Sequence, residues 1–236
     1  MRGFVFIMIK QKMKTQLYLV STPIGNYDDI TLRALNVLKE VDLILCEEYK
    51  PASKLLNHYE IKKELLAVNE HNEKESALDV VNKIMEYKKV AMISDAGTPL
   101  FSDPGNFLIP MAISFGIEII PVPGANSLLP ALIASGFNTN NFYYFGWLSP
   151  KKDERRVQLF KLKQLKELIV IMETPYRLKQ LLSDLIKMLG AKTEICIAYK
   201  LTMPQEQFLR GFAVDVLKKV ESLKLKGEFV LLVNNR

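Results

Sequence analysis

The sequence has only two cysteines and two histidines among its 236 residues. Cys46 and Cys196 lie in separate apolar runs, and His58 and His71 stand too far apart for a His-x-x-x-His pair. A disulfide framework needs more cysteines, and a conventional zinc site needs closely spaced thiol or imidazole ligands. We therefore predict two buried free thiols in a reducing cytoplasm, and no metal cofactor.

A long apolar run is also missing near the start of the sequence. Residues 4–9 are apolar, but a helix that spans a bilayer needs about 20 apolar residues. Lysines follow this stretch in place of the small residues of a signal-peptide cleavage site. We interpret residues 1–12 as an N-terminal extension and Met13 as the start of the fold, and we expect no membrane association.

Three common active-site signatures are missing as well. The segment GAKT at 190–193 follows a helical pattern and lacks the leading glycine of a phosphate-binding loop. No Gly-x-Gly-x-x-Gly follows the first strand, which argues against a Rossmann dinucleotide site and against the common glycine-rich methyltransferase fold. No Gly-x-Ser-x-Gly element indicates a hydrolase.

Basic residues outnumber acidic ones, 32 to 26, which gives a formal charge of +6. An excess of this size is compatible with a phosphate-rich partner such as RNA. Part of it falls in one run, formed by Lys151, Lys152, Arg155, Arg156, Lys161, Lys163 and Lys166. We expect this run to form the solvated face of a helix, with contact to RNA as the alternative.

Strands and helices alternate through the first half of the sequence. Continuous apolar strands are predicted at 17–21, 43–46, 65–68, 90–94 and 117–122. Asp29 is predicted to cap the first of the intervening helices, and Asp103 with Pro104 to begin the fourth. Strands without polar alternation, separated by helices, predict a parallel sheet covered on both faces.

The pattern changes after residue 122. Strands are predicted at 142–146, 168–172, 194–199, 208–212 and 229–234. The third and fourth of these are too close for an intervening helix and are expected to pair antiparallel. The predicted fold is therefore α/β, with an N-terminal parallel-sheet domain at 13–122 and a C-terminal mixed-sheet domain at 123–236. A ligand is expected in the cleft between the two domains.

Three loops that follow first-half strands are rich in glycine, proline and small polar residues. They are STPIGN at 21–26, SDAGTPLFSDPG at 94–105 and PVPGAN at 121–126. In an open α/β sheet, ligands bind beyond the carboxyl ends of the strands, and glycine lets a ligand reach the main chain. Each loop alone could be a plain turn, but together they predict a composite small-molecule site.

Several ordered blocks of the sequence resemble one enzyme family. The blocks are LYLVSTPIGNYDDITLRALNVLKEVDLILCEE (17–48), HNE (71–73), SDAGTPLFSDPG, PVPGANSLLPALIASG (121–136) and KGEFVLLV (226–233). Over residues 14–236 the chain looks like the small-subunit ribosomal RNA (cytidine-2′-O)-methyltransferase branch of the tetrapyrrole-methylase superfamily. The resemblance implies two α/β domains, S-adenosylmethionine in the cleft between them, a homodimer, and small-subunit ribosomal RNA as the substrate.

The same resemblance assigns cofactor contacts to individual residues. The set is Pro23, Ile24, Asp95, Ala96, Gly97, Thr98, Gly124, Ala125, Asn126, Met172 and Gly227. Residues 95–98 would meet the methionine and ribose parts, largely through main-chain groups, and the last two residues of the set would approach the adenine. For each of them the alternative is a plain turn or core role.

Catalysis and substrate binding are assigned to charged residues in these blocks. A ribose hydroxyl is a poor nucleophile, so a base within hydrogen-bond reach would help. Glu47 and Glu173 are the candidates, with a structural ion pair as the alternative for each. The phosphate-binding set that the resemblance implies is Arg33, Lys50, Arg177 and Lys200.

Three substrate-facing blocks depart from the family pattern. Glu-Asp-Thr-Arg, Glu-Ser-Pro-His-Arg and Arg-Glu-Leu-Thr-Lys are replaced by EEYK at 47–50, ETPYR at 173–177 and YKLTM at 199–203. Conserved cofactor blocks beside altered substrate blocks are typical of a divergent paralogue. Two alternatives follow: a methyltransferase that acts on a tetrapyrrole or another small molecule, and a cofactor-binding paralogue whose catalysis has decayed.

Overall fold

The structure, a computed structural model, describes residues 14–68, 73–101 and 107–235, with only the backbone of 73–75. The expected extension at 1–12, His71 and the predicted helix start at Asp103 lie outside these residues. The chain forms two compact units. The first ends at Gly124 and leaves out the loop Pro23–Ile30, and the second is built from that loop and the chain from Ala125 onward.

Five parallel strands form the sheet of the first unit, in the order β3-β2-β4-β1-β5. The strands are β1 (Gln16–Val20), β2 (Leu43–Cys46), β3 (Glu64–Ala67), β4 (Lys89–Ile93) and β5 (Glu118–Val122). The helices are α1 (Leu32–Glu40), α2 (Tyr49–His58), α3 (Glu73–Met85) and α4 (Leu108–Ser114). Every residue of β2 is buried, so the sheet is covered on both faces there. The prediction of a covered parallel sheet is confirmed.

The start of α1 differs from the prediction. Thr31 occupies the N-cap position, and its Oγ1 accepts the N–H three residues further on at 3.0 Å. Asp29 instead ends a 3₁₀ turn (Tyr27–Asp29), which is capped by the side chain of Asn26. The predicted cap at Asp29 is therefore wrong, because an N-cap residue needs an extended backbone and Asp29 already lies within a helical turn.

A mixed sheet forms the centre of the second unit, in the order β6-β7-β10-β8-β9. The strands are β6 (Phe142–Trp147), β7 (Leu168–Glu173), β8 (Glu194–Tyr199), β9 (Gln207–Phe212) and β10 (Phe229–Asn234). The helices are α5 (Leu128–Ala134), α6 (Lys152–Leu162), α7 (Leu178–Leu189) and α8 (Ala213–Ser222). Strands β6 and β7 are parallel, and β8 and β9 pair antiparallel as predicted. None of the helices in the described part of the chain has the length and apolarity to cross a membrane.

Two apolar cores lie on opposite faces of the second sheet. The face under α6, α7 and α8 holds Ile169 and Ile171 of β7. The other face, packed by α5, holds Leu168 and Val170 of the same strand. Because successive side chains of a strand point to opposite faces, the position of any β7 residue fixes the core that it faces.

The basic run after residue 150 is only partly a solvated face. Arg155 is 1% exposed, and its Nε and Nη2 donate to Asp184 Oδ2 of α7 at 3.1 and 2.9 Å. Its Nη1 donates to the carbonyls of Ser149 and Pro150. Arg156 Nε donates to the other oxygen of Asp184 at 3.0 Å. The prediction of a solvated side chain is thus wrong for Arg155, because its partner lies on a later helix.

Candidate functional site

The loops that follow β1, β4 and β5 leave the same edge of the first sheet, since these strands are adjacent and parallel. Thr22 N–H donates to the Gly97 carbonyl at 2.8 Å, and Gly97 N–H donates to the Thr22 carbonyl at 3.1 Å. Beside this bridge, Ser21 Oγ and Thr98 Oγ1 form a hydrogen bond of 2.9 Å. A Cβ on Gly124 would lie 2.9 Å from Ser21 Cβ. The structure therefore brings Gly97, Thr98 and Gly124 to one edge.

Gly97 has a conformational reason to be glycine. Its φ is +88°, in the region that L side chains rarely adopt. Its N–H is already donated to Thr22, and Ala96 N–H is donated to Ser94 Oγ at 3.3 Å. Main-chain donors of this loop are thus partly used within the protein, and the positive φ of Gly97 explains why the position is a glycine.

Acidic side chains gather where β2 and β4 end. Glu47 and Glu48 follow β2, and Asp95, in the loop after β4, accepts the Glu48 N–H on its Oδ1 at 3.3 Å. Although Asp95 is exposed, the protein around its carboxyl group removes water and raises its pKa; the Glu48 N–H opposes this rise and the Glu48 charge adds to it. Burial, with the charges of Asp95 and Glu47, raises the pKa of Cys46 to about 11. This edge carries an excess of negative charge that suits a cationic ligand.

The four predicted phosphate-binding residues differ in their surroundings. Arg33 on α1 and Lys50 in the first turn of α2 are exposed. Arg177 is paired, since its Nη2 lies 2.5 Å from Glu173 Oε1. Lys200 is half-buried in a turn where its own φ is +48°. Two of these cations are thus open to solvent, one has a carboxylate partner, and one is held by a strained backbone.

Glu173 is the last residue of β7, and its side chain is fully buried. Its Oε1 accepts the Thr174 N–H at 2.7 Å in addition to its pair with Arg177. Its Oε2 is buried and has no hydrogen-bond partner among the residues that the structure describes. By strand alternation, Glu173 faces α6, α7 and α8, and Met172 faces the opposite core.

The face of the second sheet that Met172 shares also receives the loop Pro23–Ile30. Met172 Sδ accepts a hydrogen bond from Tyr144 Oη at 3.0 Å. Ile24 packs against the apolar cluster of this face, as does Tyr144. Two residues predicted to bind the cofactor from distant parts of the sequence therefore lie on one face of one sheet.

Gly227 lies against the turn that follows β8. A Cβ at this position would stand 2.5 Å from Lys200 Cε and 2.7 Å from Tyr199 Oη. A side chain at residue 227 would therefore displace Lys200 or the buried Tyr199. The structure thus places a residue predicted to bind the cofactor in contact with one predicted to bind phosphate.

Ala125 and Asn126 belong to the second unit. Asn126 Oδ1 accepts the Leu129 N–H at 2.9 Å, at the start of α5. Such a bond satisfies one of the main-chain donors that a helix leaves open at its N-terminus. Asn126 therefore has a helix-capping contact in addition to the ligand contact that the sequence predicts.

Sequence reasoning does not single out Thr202 and Glu206, which also meet the loop Pro23–Ile30. Thr202 Oγ1 accepts the Asn26 N–H at 3.0 Å, and Thr202 N–H donates to Glu206 Oε2 at 2.6 Å. Thr202 has a φ of +66°. Backbone strain cannot be read from a sequence. The sequence feature that pointed to Thr202 was the altered block at 199–203.

Residues 16–216 match the family model of the tetrapyrrole (corrin/porphyrin) methylases, and the chain belongs to this family of methyltransferases. It is 41% identical over 220 residues to ribosomal RNA small subunit methyltransferase I of Halalkalibacterium halodurans, covering 93% of this chain and 76% of that protein. A protein of the same name from Thermotoga maritima is 40% identical over 221 residues, covering 94% and 99%. The resemblance predicted from the sequence is confirmed for both the superfamily and this branch.

Solved structures share the fold at low identity. A diphthine synthase has a TM-score of 0.74 at 13% identity, covering 93% of this chain and 89% of that chain. A cobalt precorrin-4 methyltransferase of cobalamin biosynthesis has a TM-score of 0.68 at 18% identity, covering 92% and 94%. A uroporphyrin-III C-methyltransferase from Thermus thermophilus, complexed with S-adenosylhomocysteine, has a TM-score of 0.65 at 16% identity, covering 92% and 96%. The predicted fold class is confirmed.

Proposed function

We propose that this protein transfers a methyl group from S-adenosylmethionine to a ribose 2′-hydroxyl of small-subunit ribosomal RNA. The observation that carries the proposal is the 41% identity, over 93% of the chain, to a ribosomal RNA small subunit methyltransferase I. The acidic edge of the first sheet supports the choice of cofactor, because S-adenosylmethionine is cationic at its sulfonium and ammonium groups.

The residue types of the predicted cofactor-binding set suit the parts of S-adenosylmethionine. Asp95 would offer a carboxylate to the cationic methionine part, with Gly97 and Gly124 at the same edge of the first sheet. Ile24 and Met172 offer apolar and thioether surface to the adenine. When bound, the cofactor supplies an electrophilic methyl group with a good leaving group. The main task of these residues is therefore to hold the cofactor and to align its methyl group with the acceptor. The proposed transfer involves no metal ion.

Of the two predicted bases, we favour Glu47 for its position. It follows β2 at the acidic edge and is half-buried. Glu173 faces α6, α7 and α8 and already receives the Thr174 N–H and the Arg177 guanidinium. In the proposed step, Glu47 takes the proton of the ribose hydroxyl as the hydroxyl oxygen bonds to the methyl carbon and the bond from that carbon to sulfur breaks, with S-adenosylhomocysteine as the leaving group.

Glu47→Gln is expected to lower kcat by about 100-fold or more while the affinity for S-adenosylmethionine changes little. General-base catalysis contributes roughly 10²- to 10⁴-fold, and the amide cannot take the proton. Single-turnover methylation of small ribosomal subunits and cofactor calorimetry measure the two quantities. Glu118→Gln is the matched control, since this side chain is exposed at the start of β5, at the opposite edge of the sheet, and undergoes the same change. Equal losses in the two variants would contradict the assignment.

RNA binding is proposed to use Arg33, Lys50, Arg177 and Lys200. Each would contact phosphate, and the paired Arg177 would do so with the N–H groups that Glu173 and Thr174 leave unused. The side chain of Lys200 packs along Gly227. Phosphate contacts strengthen binding to any sequence and make it sensitive to salt.

Lys200→Met is expected to weaken RNA binding uniformly and to reduce the slope of log K against log salt by about 1. Methionine keeps most of the length and removes the charge. Filter binding of small-subunit RNA at several salt concentrations measures both effects. Lys187→Met, on the exposed surface of α7, is the control and should leave the slope unchanged. An unchanged slope for Lys200→Met would remove Lys200 from the phosphate-binding set.

The proposal also includes the assembly and the compartment that the resemblance implies. A homodimer in the cytoplasm is the form in which we propose the enzyme acts. The cytoplasm is where small ribosomal subunits and S-adenosylmethionine meet. Both free thiols are buried, which suits a reducing compartment.

A further inference from the structure

The loop Pro23–Ile30 is held in the second unit by contacts at three consecutive residues. Ile24 packs against the apolar cluster on one face of the sheet. Gly25 lies so close to the turn after β8 that a Cβ on it would stand 2.8 Å from Thr202 Oγ1. Asn26 N–H donates to that same oxygen at 3.0 Å. Thr202 is therefore a common contact of Gly25 and Asn26.

Thr202 takes up a backbone conformation that its own side chain disfavours. Its φ is +66°, and that of Lys200 in the same turn is +48°. A β-branched residue in this region is uncommon and strained, and it persists only where surrounding contacts fix it. Here Thr202 N–H donates to Glu206 Oε2 at 2.6 Å, and Glu206 N–H donates to the Met203 carbonyl at 2.9 Å. Glu206 thus holds Thr202 with its hydroxyl against the loop.

We infer that Thr202 is a positioning residue which, together with Glu206, fixes the loop carrying Pro23 and Ile24 in its cofactor-binding conformation. The identity of the ligand rests on the proposed function. A loop ordered before binding loses less conformational freedom when the ligand arrives, so affinity is higher. The same turn carries Lys200, so one strained segment connects the cofactor loop to a phosphate-binding side chain.

Thr202→Val tests this role because it removes the hydroxyl but keeps the size and the β-branching. The backbone strain therefore stays, while Asn26 N–H loses its acceptor. We expect the Kd for S-adenosylmethionine, measured by calorimetry on the full chain, to rise about 2- to 10-fold, the range of one hydrogen bond. Amide exchange of residues 23–30 should quicken in the free protein, and KM for the cofactor should rise more than kcat falls.

Two further variants separate positioning from general damage. Thr202→Ser keeps the hydroxyl and should restore both the affinity and the slow exchange. Thr193→Val makes the same change just before β8, at the opposite end of that strand, and should leave both unchanged.

Equal affinity and equal exchange in Thr202→Val and the wild type would overturn the inference and leave the proposed methyltransferase intact. Loss of affinity in Thr202→Ser as large as in Thr202→Val would also overturn it, because the hydroxyl would then not be the cause. A wild-type protein that binds no S-adenosylmethionine would overturn the proposed function and the cofactor role of Thr202. In that case, faster amide exchange confined to residues 23–30 in Thr202→Val would still support the hydrogen bond between Asn26 and Thr202.

Discussion

Asp184→Ala is expected to lower the free energy of unfolding of the second unit by about 3–5 kcal/mol. Asp184 is 2% exposed and accepts hydrogen bonds from Arg155 and Arg156. Without it, the buried guanidinium of Arg155 keeps only main-chain carbonyl partners, and an uncompensated buried charge is costly. Denaturant unfolding followed by fluorescence measures the change, because Trp147, the single tryptophan, lies on β6 of this unit.

The matched control for this variant is Asp215→Ala. Asp215 pairs with Lys218 at 3.4 Å on an exposed helix face, and exposed pairs contribute at most about 1 kcal/mol. Burial by itself would raise the pKa of Asp184, but the guanidinium groups of Arg155 and Arg156 outweigh it and hold the pKa below the ordinary value of 3.8. The stability that the pair adds is therefore complete above pH 3.8 and is lost as the pH falls further. A similar loss in both alanine variants would contradict the buried pair.

Asp95→Asn is expected to weaken S-adenosylmethionine binding about 10- to 100-fold, with no loss of thermal stability. A hydrogen bond to a charged group is worth roughly 1.5–3 kcal/mol, and 1.4 kcal/mol is tenfold in affinity. Asparagine keeps an oxygen for the Glu48 N–H. The charge that it removes is one that the surrounding protein disfavours, as the raised pKa of Asp95 indicates. Calorimetry gives the affinity, and thermal unfolding gives the stability.

Asp42→Asn supplies the matched control for Asp95→Asn. Asp42 also accepts a main-chain N–H, that of Lys89 at 3.2 Å, but it precedes β2 and lies at the opposite edge of the sheet. Its replacement should leave cofactor affinity unchanged. Protonation removes the charge of Asp95, so wild-type affinity should fall as the pH drops through its raised pKa, and Asp95→Asn should lack this dependence. Equal affinity of Asp95→Asn and the wild type would contradict the role of Asp95.

Much of the fold could be predicted from the sequence because the information is local. Strands β2, β8 and β10 have the predicted bounds, since each is a continuous apolar run with clear ends. The parallel first sheet follows from strands that alternate with helices, and the edge that joins Gly97 to Gly124 follows from that topology. The predictions of the cofactor and the substrate came from sequence blocks that resemble those of known methyltransferases.

What could not be predicted depends on partners that are distant in the sequence. Arg155 is buried because Asp184 stands on the next helix, and a run of basic residues gives no sign of this. The loop Pro23–Ile30 belongs to the second unit because Thr202 and its neighbours receive it. The positive φ of Thr202 is set by tertiary contacts, because a threonine is ordinarily expected to have a negative φ. Residues that position others are therefore the ones that sequence patterns miss.

The most direct measurement of the central claim is methyl transfer from labelled S-adenosylmethionine to small ribosomal subunits isolated from cells that lack this gene. The modified RNA is then digested and the label mapped to individual nucleotides. We predict that the label appears on a ribose 2′-hydroxyl of small-subunit RNA and is absent from subunits of cells that carry the gene. Label found only on a base or on a non-RNA acceptor such as a tetrapyrrole, or no transfer by a protein that binds the cofactor, would contradict the proposed function.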